Sequence, residues 1–101
     1  MRMMMRWTVP VEKGNEAVAE GQMGETIEAV LADLKPEAAY FLVEGGERAG
    51  MVFFDMAESA DIPVIAERLF IALDADVEFI PVMNWADLRK GLEKATSAGT
   101  A

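Results

Sequence analysis

Arg6, Thr8, Tyr40, Glu44 and Glu78 are the residues best placed to do chemistry together, because each occupies an alternating position within a short apolar segment. Arg6 and Thr8 lie in Met3-Met4-Met5-Arg6-Trp7-Thr8-Val9, Tyr40 and Glu44 in Ala39-Tyr40-Phe41-Leu42-Val43-Glu44, and Glu78 in Val77-Glu78-Phe79-Ile80. Gathered on one sheet face they would form a cavity floor. Arg6 would hold an anionic or carbonyl oxygen, Tyr40 would donate a hydrogen bond, and a buried Glu78 with raised pKa would act as a general base. A second reading stands beside it: Arg6 and Glu78, on neighbouring strands, form a cross-strand salt bridge that satisfies both charges inside an interface.

Other chemistries are removed by what the chain lacks. There is no histidine and no cysteine, so no Ser-His-Asp or Cys-His nucleophile, no His-ligated haem and no zinc site of ordinary nitrogen and sulfur ligation. The acids show no EF-hand-like spacing and read as scattered surface charge. Gly21-Gln22-Met23-Gly24-Glu25-Thr26 has the glycines of a phosphate loop but lacks its lysine, carries an acid in that place and does not follow a strand directly. It reads as a helix break. No metal and no cofactor is implied.

Nine basic against eighteen acidic residues give a charge of −9, which argues against nucleic-acid binding and against attachment to anionic membranes. The first residues form no signal peptide, and no apolar run approaches the roughly 18 residues of a membrane span. The absence of cysteine favours a reducing, cytoplasmic location.

Those candidate residues need strands to carry them. Met3 to Val9 alternates and ends at Pro10. Asn15 is a suitable N-cap, with Glu16 and Glu20 behind it, and Met23, Ile27, Val30, Leu31 and Leu34 recur at helical spacing up to Lys35-Pro36. Gly21 and Gly24 predict a break, with the firm helix over about Glu25 to Leu34. Ala39 to Glu44 and Ala49 to Asp55 are the next strands, joined by a turn at Glu44-Gly45-Gly46-Glu47. Ser59 or Asp61 caps a helix with Pro63 in its first turn and Ile62, Ile65, Ala66, Leu69 and Leu73 as its buried stripe. Val77 to Met83 is a fourth strand. Trp85, Leu88, Leu92 and Ala95 mark a short C-terminal helix within a single domain over 1–95, and 96–101 reads as a flexible tail.

The order predicts a ferredoxin-like α+β fold, βαββαβ, with a four-stranded antiparallel sheet in order 4-1-3-2 and both main helices on one face. The first and third strands, continuously apolar, should be central, and Pro81 should place the fourth at an edge. Met3, Met5, Trp7, Phe41, Val43, Met51 and Phe53 are expected to face the helices. Met4, Leu42, Val52, Phe54, Ile80 and Val82 would then lie on the helix-free face, which is too apolar to remain in water. A homodimer through that face would bury it.

Strand order, size and a doubly apolar sheet resemble the dimeric α+β-barrel superfamily. More closely, Lys35-Pro36-Glu37-Ala38-Ala39-Tyr40-Phe41, Ile62-Pro63-Val64-Ile65-Ala66-Glu67 and Pro81-Val82-Met83 resemble a family of small uncharacterised bacterial proteins. The resemblance spans roughly Met3 to Leu88. It implies a fold and a dimer around a cavity, and it carries over no catalytic residue. Two functions follow as expectations: a small-molecule-binding or cofactor-independent enzymatic barrel taking a small anionic or partly apolar ligand, or a non-catalytic dimeric interaction or effector-sensing module.

Overall fold

A computed structural model describes residues 1–97. The elements are β1 (Arg2–Val9), α1 (Val11–Ala19), α2 (Gln22–Leu34), β2 (Ala38–Glu44), β3 (Glu47–Asp55), α3 (Asp61–Leu73), β4 (Asp76–Pro81) and α4 (Trp85–Ser97). The four strands form one antiparallel sheet in the order β2-β3-β1-β4, which is the expected 4-1-3-2 read from the other edge. The result is a small α+β protein compatible with a ferredoxin-like arrangement. β1 and β3 are central, and β4, with Pro81 as its last residue, is an edge.

Alternation in β1 survives intact as packing: Met3, Met5, Trp7 and Val9 are buried, while Arg2, Met4, Arg6 and Thr8 are not. The buried set meets Ala17 of α1, Val30 of α2 and Ile65, Leu69 and Leu73 of α3 in one core. Those three helices therefore share one face of the sheet, and the other face is free of them.

β3 turns the opposite way from the expectation. Val52 and Phe54 are buried in the core, and Met51 and Phe53 lie on the helix-free face. Met-Val-Phe-Phe is apolar at every position, so alternation says nothing about which residues face inward. The hairpin decides. Gly45 (φ 57°) and Gly46 (φ 81°) form a two-residue turn that demands positive φ at both positions, and it pairs Leu42 with Ala49 and Tyr40 with Met51. Directly paired residues share a face, so Met51 follows Tyr40 outward.

Trp7 lies in the core as expected, and β3 makes room for it. Its cross-strand partner is Gly50, where a Cβ would stand 2.3 Å from the indole. The ring crosses the glycine to meet Phe41 on β2, edge to face, with centroids 6.1 Å apart.

The first helical region also differs. α1 starts directly after Pro10, so Asn15 lies inside a helix and caps nothing. The break falls at Glu20-Gly21, where Gly21 has φ 77°, and Gly24 is accommodated within α2. The N-cap of α3 is Ala60, with no side-chain cap from Ser59 or Asp61, although Pro63 and the buried stripe stand where the periodicity placed them. β4 ends at Pro81, two residues early. α4 runs through Thr96 to Ser97, and residues 98–101 of the expected tail lie outside the described residues.

Candidate functional site on the open sheet face

All five candidates stand on the helix-free face. Sheet register aligns three of them in one row: Glu78 on β4 opposite Arg6 on β1, Arg6 opposite Met51 on β3, and Met51 opposite Tyr40 on β2. The next row holds Asp76, Thr8, Ala49 and Leu42, and the row on the other side holds Ile80, Met4, Phe53 and Ala38. A polar row with an apolar row beside it is therefore built by pairing alone. At about 4.8 Å per strand, Glu78 and Tyr40 stand about 14 Å apart along it.

Arg6 does not pair with Glu78. Its guanidinium forms an ion pair with Glu44, reaching diagonally over β3 to the end of β2. Both partners remain about a third exposed, at 33% and 36%, so the pair is solvent-screened rather than a buried structural bridge. Glu78 and Tyr40 are exposed, Tyr40 to 61%. The burial that a general base at Glu78 requires is not supplied by one chain. Thr8, half-buried beside Arg6, completes the cluster.

Met51 and Phe53 belong to this face although alternation did not place them there. A signal for them exists in the chain. Partners across a two-residue turn at 45 and 46 have numbers summing to 91, so placing Tyr40 and Leu42 outward also places Met51 and Ala49 outward.

One end of the face is closed by a charged tie. Arg2 donates through Nε to Glu37 Oε1 at 2.7 Å and through Nη1 to Asp87 Oδ2 at 2.6 Å. The hydrogen bond to Glu37, followed by its charge, holds the guanidinium above its ordinary pKa. Nearby, the N-terminal ammonium donates to Asp55 Oδ1 at 2.7 Å, and that bond keeps the carboxyl below its usual range. The bond to Asp87 fastens the start of α4 to β1, and none of these contacts touches the central row.

On the helix side, a groove of about 550 Å³ runs between α2 and α3 over Ala29, Ile71 and Ala72. Of its charged walls, Arg68 is already engaged by Asp33. Among the described residues no cluster of three or more acids is arranged to hold a metal ion, and no helix is long and apolar enough to cross a membrane. No protein-family model matches the chain, and no curated protein matches it.

Proposed function

We propose that this protein is one half of a two-fold dimer whose open sheet faces enclose a binding chamber for a compact, partly apolar molecule bearing a carboxylate or carbonyl oxygen. The row Glu78–Arg6–Met51–Tyr40, set beside Met4, Phe53 and Ile80, is the observation that carries this reading. Apolar walls give such a ligand its affinity, and a few converging polar groups fix its orientation. Arg6 cannot lose its charge. Its screened partner Glu44 is one that an anionic ligand can displace, with Tyr40 donating a second hydrogen bond. A facing copy would bring Glu78 inside the same chamber, where its carboxylate is the group placed to accept a proton from a bound substrate. Such chemistry needs no cofactor, and a dimeric α+β barrel is the family reading that fits it.

The Arg6–Glu44 pair also supports a second reading, in which the polar row only tunes a non-catalytic dimer or effector sensor, because the guanidinium already has a partner. Sedimentation at micromolar concentration and thermal melts with a panel of small carboxylates test both. The chamber predicts twice the monomer mass and a melting temperature that rises with carboxylate through mass action, with no rise in Arg6→Met. A dimer indifferent to every carboxylate and carbonyl compound leaves the second reading. A monodisperse monomer overturns both.

A further inference from the structure

Among the described residues, α4 has no extensive packing surface. None of its residues is buried, and Trp85, Leu88 and Leu92, spaced along one stripe, are 67%, 39% and 53% exposed. The molecule is accordingly long, 56 Å on its major axis with a radius of gyration of 16.4 Å, against about 13 Å for a compact chain of this size. A helix of 13 residues is marginal in water when it packs on so little. Yet its direction is set. Asp87 N donates to Asn84 Oδ1 at 2.8 Å while Asn84 N donates to Asp87 Oδ2 at 3.1 Å, a reciprocal cap. Arg2, an open-face residue, grips Asp87 as well.

A matching orphan surface lies at the far edge of the same sheet. In β2, Tyr40, Phe41, Leu42 and Val43 are 61%, 55%, 38% and 77% exposed, on an edge strand with one side unpaired. α4 leaves from β4, the opposite edge, and although Arg2 joins its Asp87 to Glu37 beside β2, the Tyr40–Val43 segment stays exposed within one chain. Charge separates the two as well. Within 85–97 there are three basic residues (Arg89, Lys90, Lys94) and two acidic, whereas residues 1–84 hold six basic and sixteen acidic. That is a net +1 against −10. Glu37, Glu44 and Glu47 bracket β2.

We infer that α4 is an exchange arm: the Trp85-Leu88-Leu92 stripe of each copy seats on the Tyr40–Val43 edge of a second copy, with its basic residues toward the acids around β2. The inference rests on the dimer proposed above and specifies how its ends are closed. Two such contacts, related by the two-fold axis, cover both orphan surfaces at once.

Trp85 supplies the readout. Trp7 is 3% exposed, so acrylamide quenching of the wild type reports Trp85 almost alone, with Trp85→Phe as the baseline. At tens of micromolar (roughly, above the dissociation constant of a specific interface) Trp85 should be shielded, and dilution to monomer should expose it. Leu92→Glu, on a helix outside the core, should fold, expose Trp85 at the same concentration and weaken dimerisation by on the order of tenfold or more, the usual loss at a central apolar contact. Because the chain has no cysteine, mixed Leu42→Cys and Leu88→Cys proteins treated with a short bismaleimide should yield a species joining those two positions. A sedimenting dimer with freely quenched Trp85, no such cross-link, or unchanged dimerisation in Leu92→Glu overturns the arm and leaves the facing-sheet dimer standing. A shielded Trp85 in a dimer that ignores carboxylates retains the arm and removes the chamber. A chain that is monomeric at every concentration overturns both.

Discussion

The two faces of one sheet carry nearly the same kinds of apolar residue and do different work. The covered face is Met3, Met5, Trp7, Val9, Val52 and Phe54, all buried and all packed against helices. The open face has Met4, Leu42, Met51, Phe53 and Ile80, but interrupts them with Arg6, Thr8, Tyr40, Glu44 and Glu78. The buried centre of the covered face holds no polar side chain, and Arg48, paired with Val9 at its margin, donates to Asn15 of α1. The open face keeps a polar row that a facing partner or ligand can satisfy. Hydrophobicity alone therefore does not separate a core from an open sheet face; the placement of the interruptions does.

Phe53 and Phe54 give the sharpest break between the faces. Phe54→Asp places a carboxylate at a 2% exposed core position and should cost about 4 kcal/mol or more, enough to unfold the chain. Phe53→Asp, on the open face, should leave a cooperatively folding protein that sediments as a monomer. Circular dichroism melts and sedimentation on the two variants read this directly, and equal unfolding by both would erase the distinction.

Next in size is Gly50→Ala. The added methyl meets the Trp7 indole, and overpacking of this kind costs about 1–3 kcal/mol. A denaturation midpoint unchanged from wild type would mean that the ring does not lie across β3 in solution.

Smaller again is the coupling between Arg6 and Glu44. Because the pair is one-third exposed, a double-mutant cycle of Arg6→Met and Glu44→Gln should give about 0.2–1 kcal/mol. The equivalent cycle with Glu78→Gln should give less in the monomer. A coupling above 3 kcal/mol with Glu78 would restore a buried structural bridge between those two residues.

The smallest effect concerns pH. The ammonium of Met1 lowers the Asp55 pKa, so the pair stabilises the fold above the unfolded-state value and is lost as pH falls through the lower folded value, below about pH 4. With Asp55 88% exposed, the change should be shallow. Melts between pH 6 and pH 2 (roughly, the span over which carboxylates titrate) should show slightly less acid sensitivity in Asp55→Asn than in wild type.

Much of the architecture is legible in local pattern. The continuously apolar start of β1 and Pro81 in β4 identify a central and an edge strand, the paired glycines specify a tight hairpin, and the stripe of α3 is plain from Ile65, Leu69 and Leu73. Each is a short-range signal in which one residue type at one position has one physical meaning. The candidate residues Arg6, Thr8, Tyr40 and Glu78 could be assigned to one face for the same reason.

What only the tertiary structure decided is what depends on partners distant in sequence. The inward side of Met51-Val52-Phe53-Phe54 had no local signal, and pairing with β2 and β1 chose it. Arg6 took Glu44 rather than the residue directly across from it because a long guanidinium side chain can span a strand, which strand neighbourhood does not reveal. Asn15 was a suitable cap by type, but Pro10 had already set the helix start. The sparsely packed course of α4 was also invisible: an amphipathic stripe states that a surface is needed, and only the packed fold determines whether the same chain supplies it.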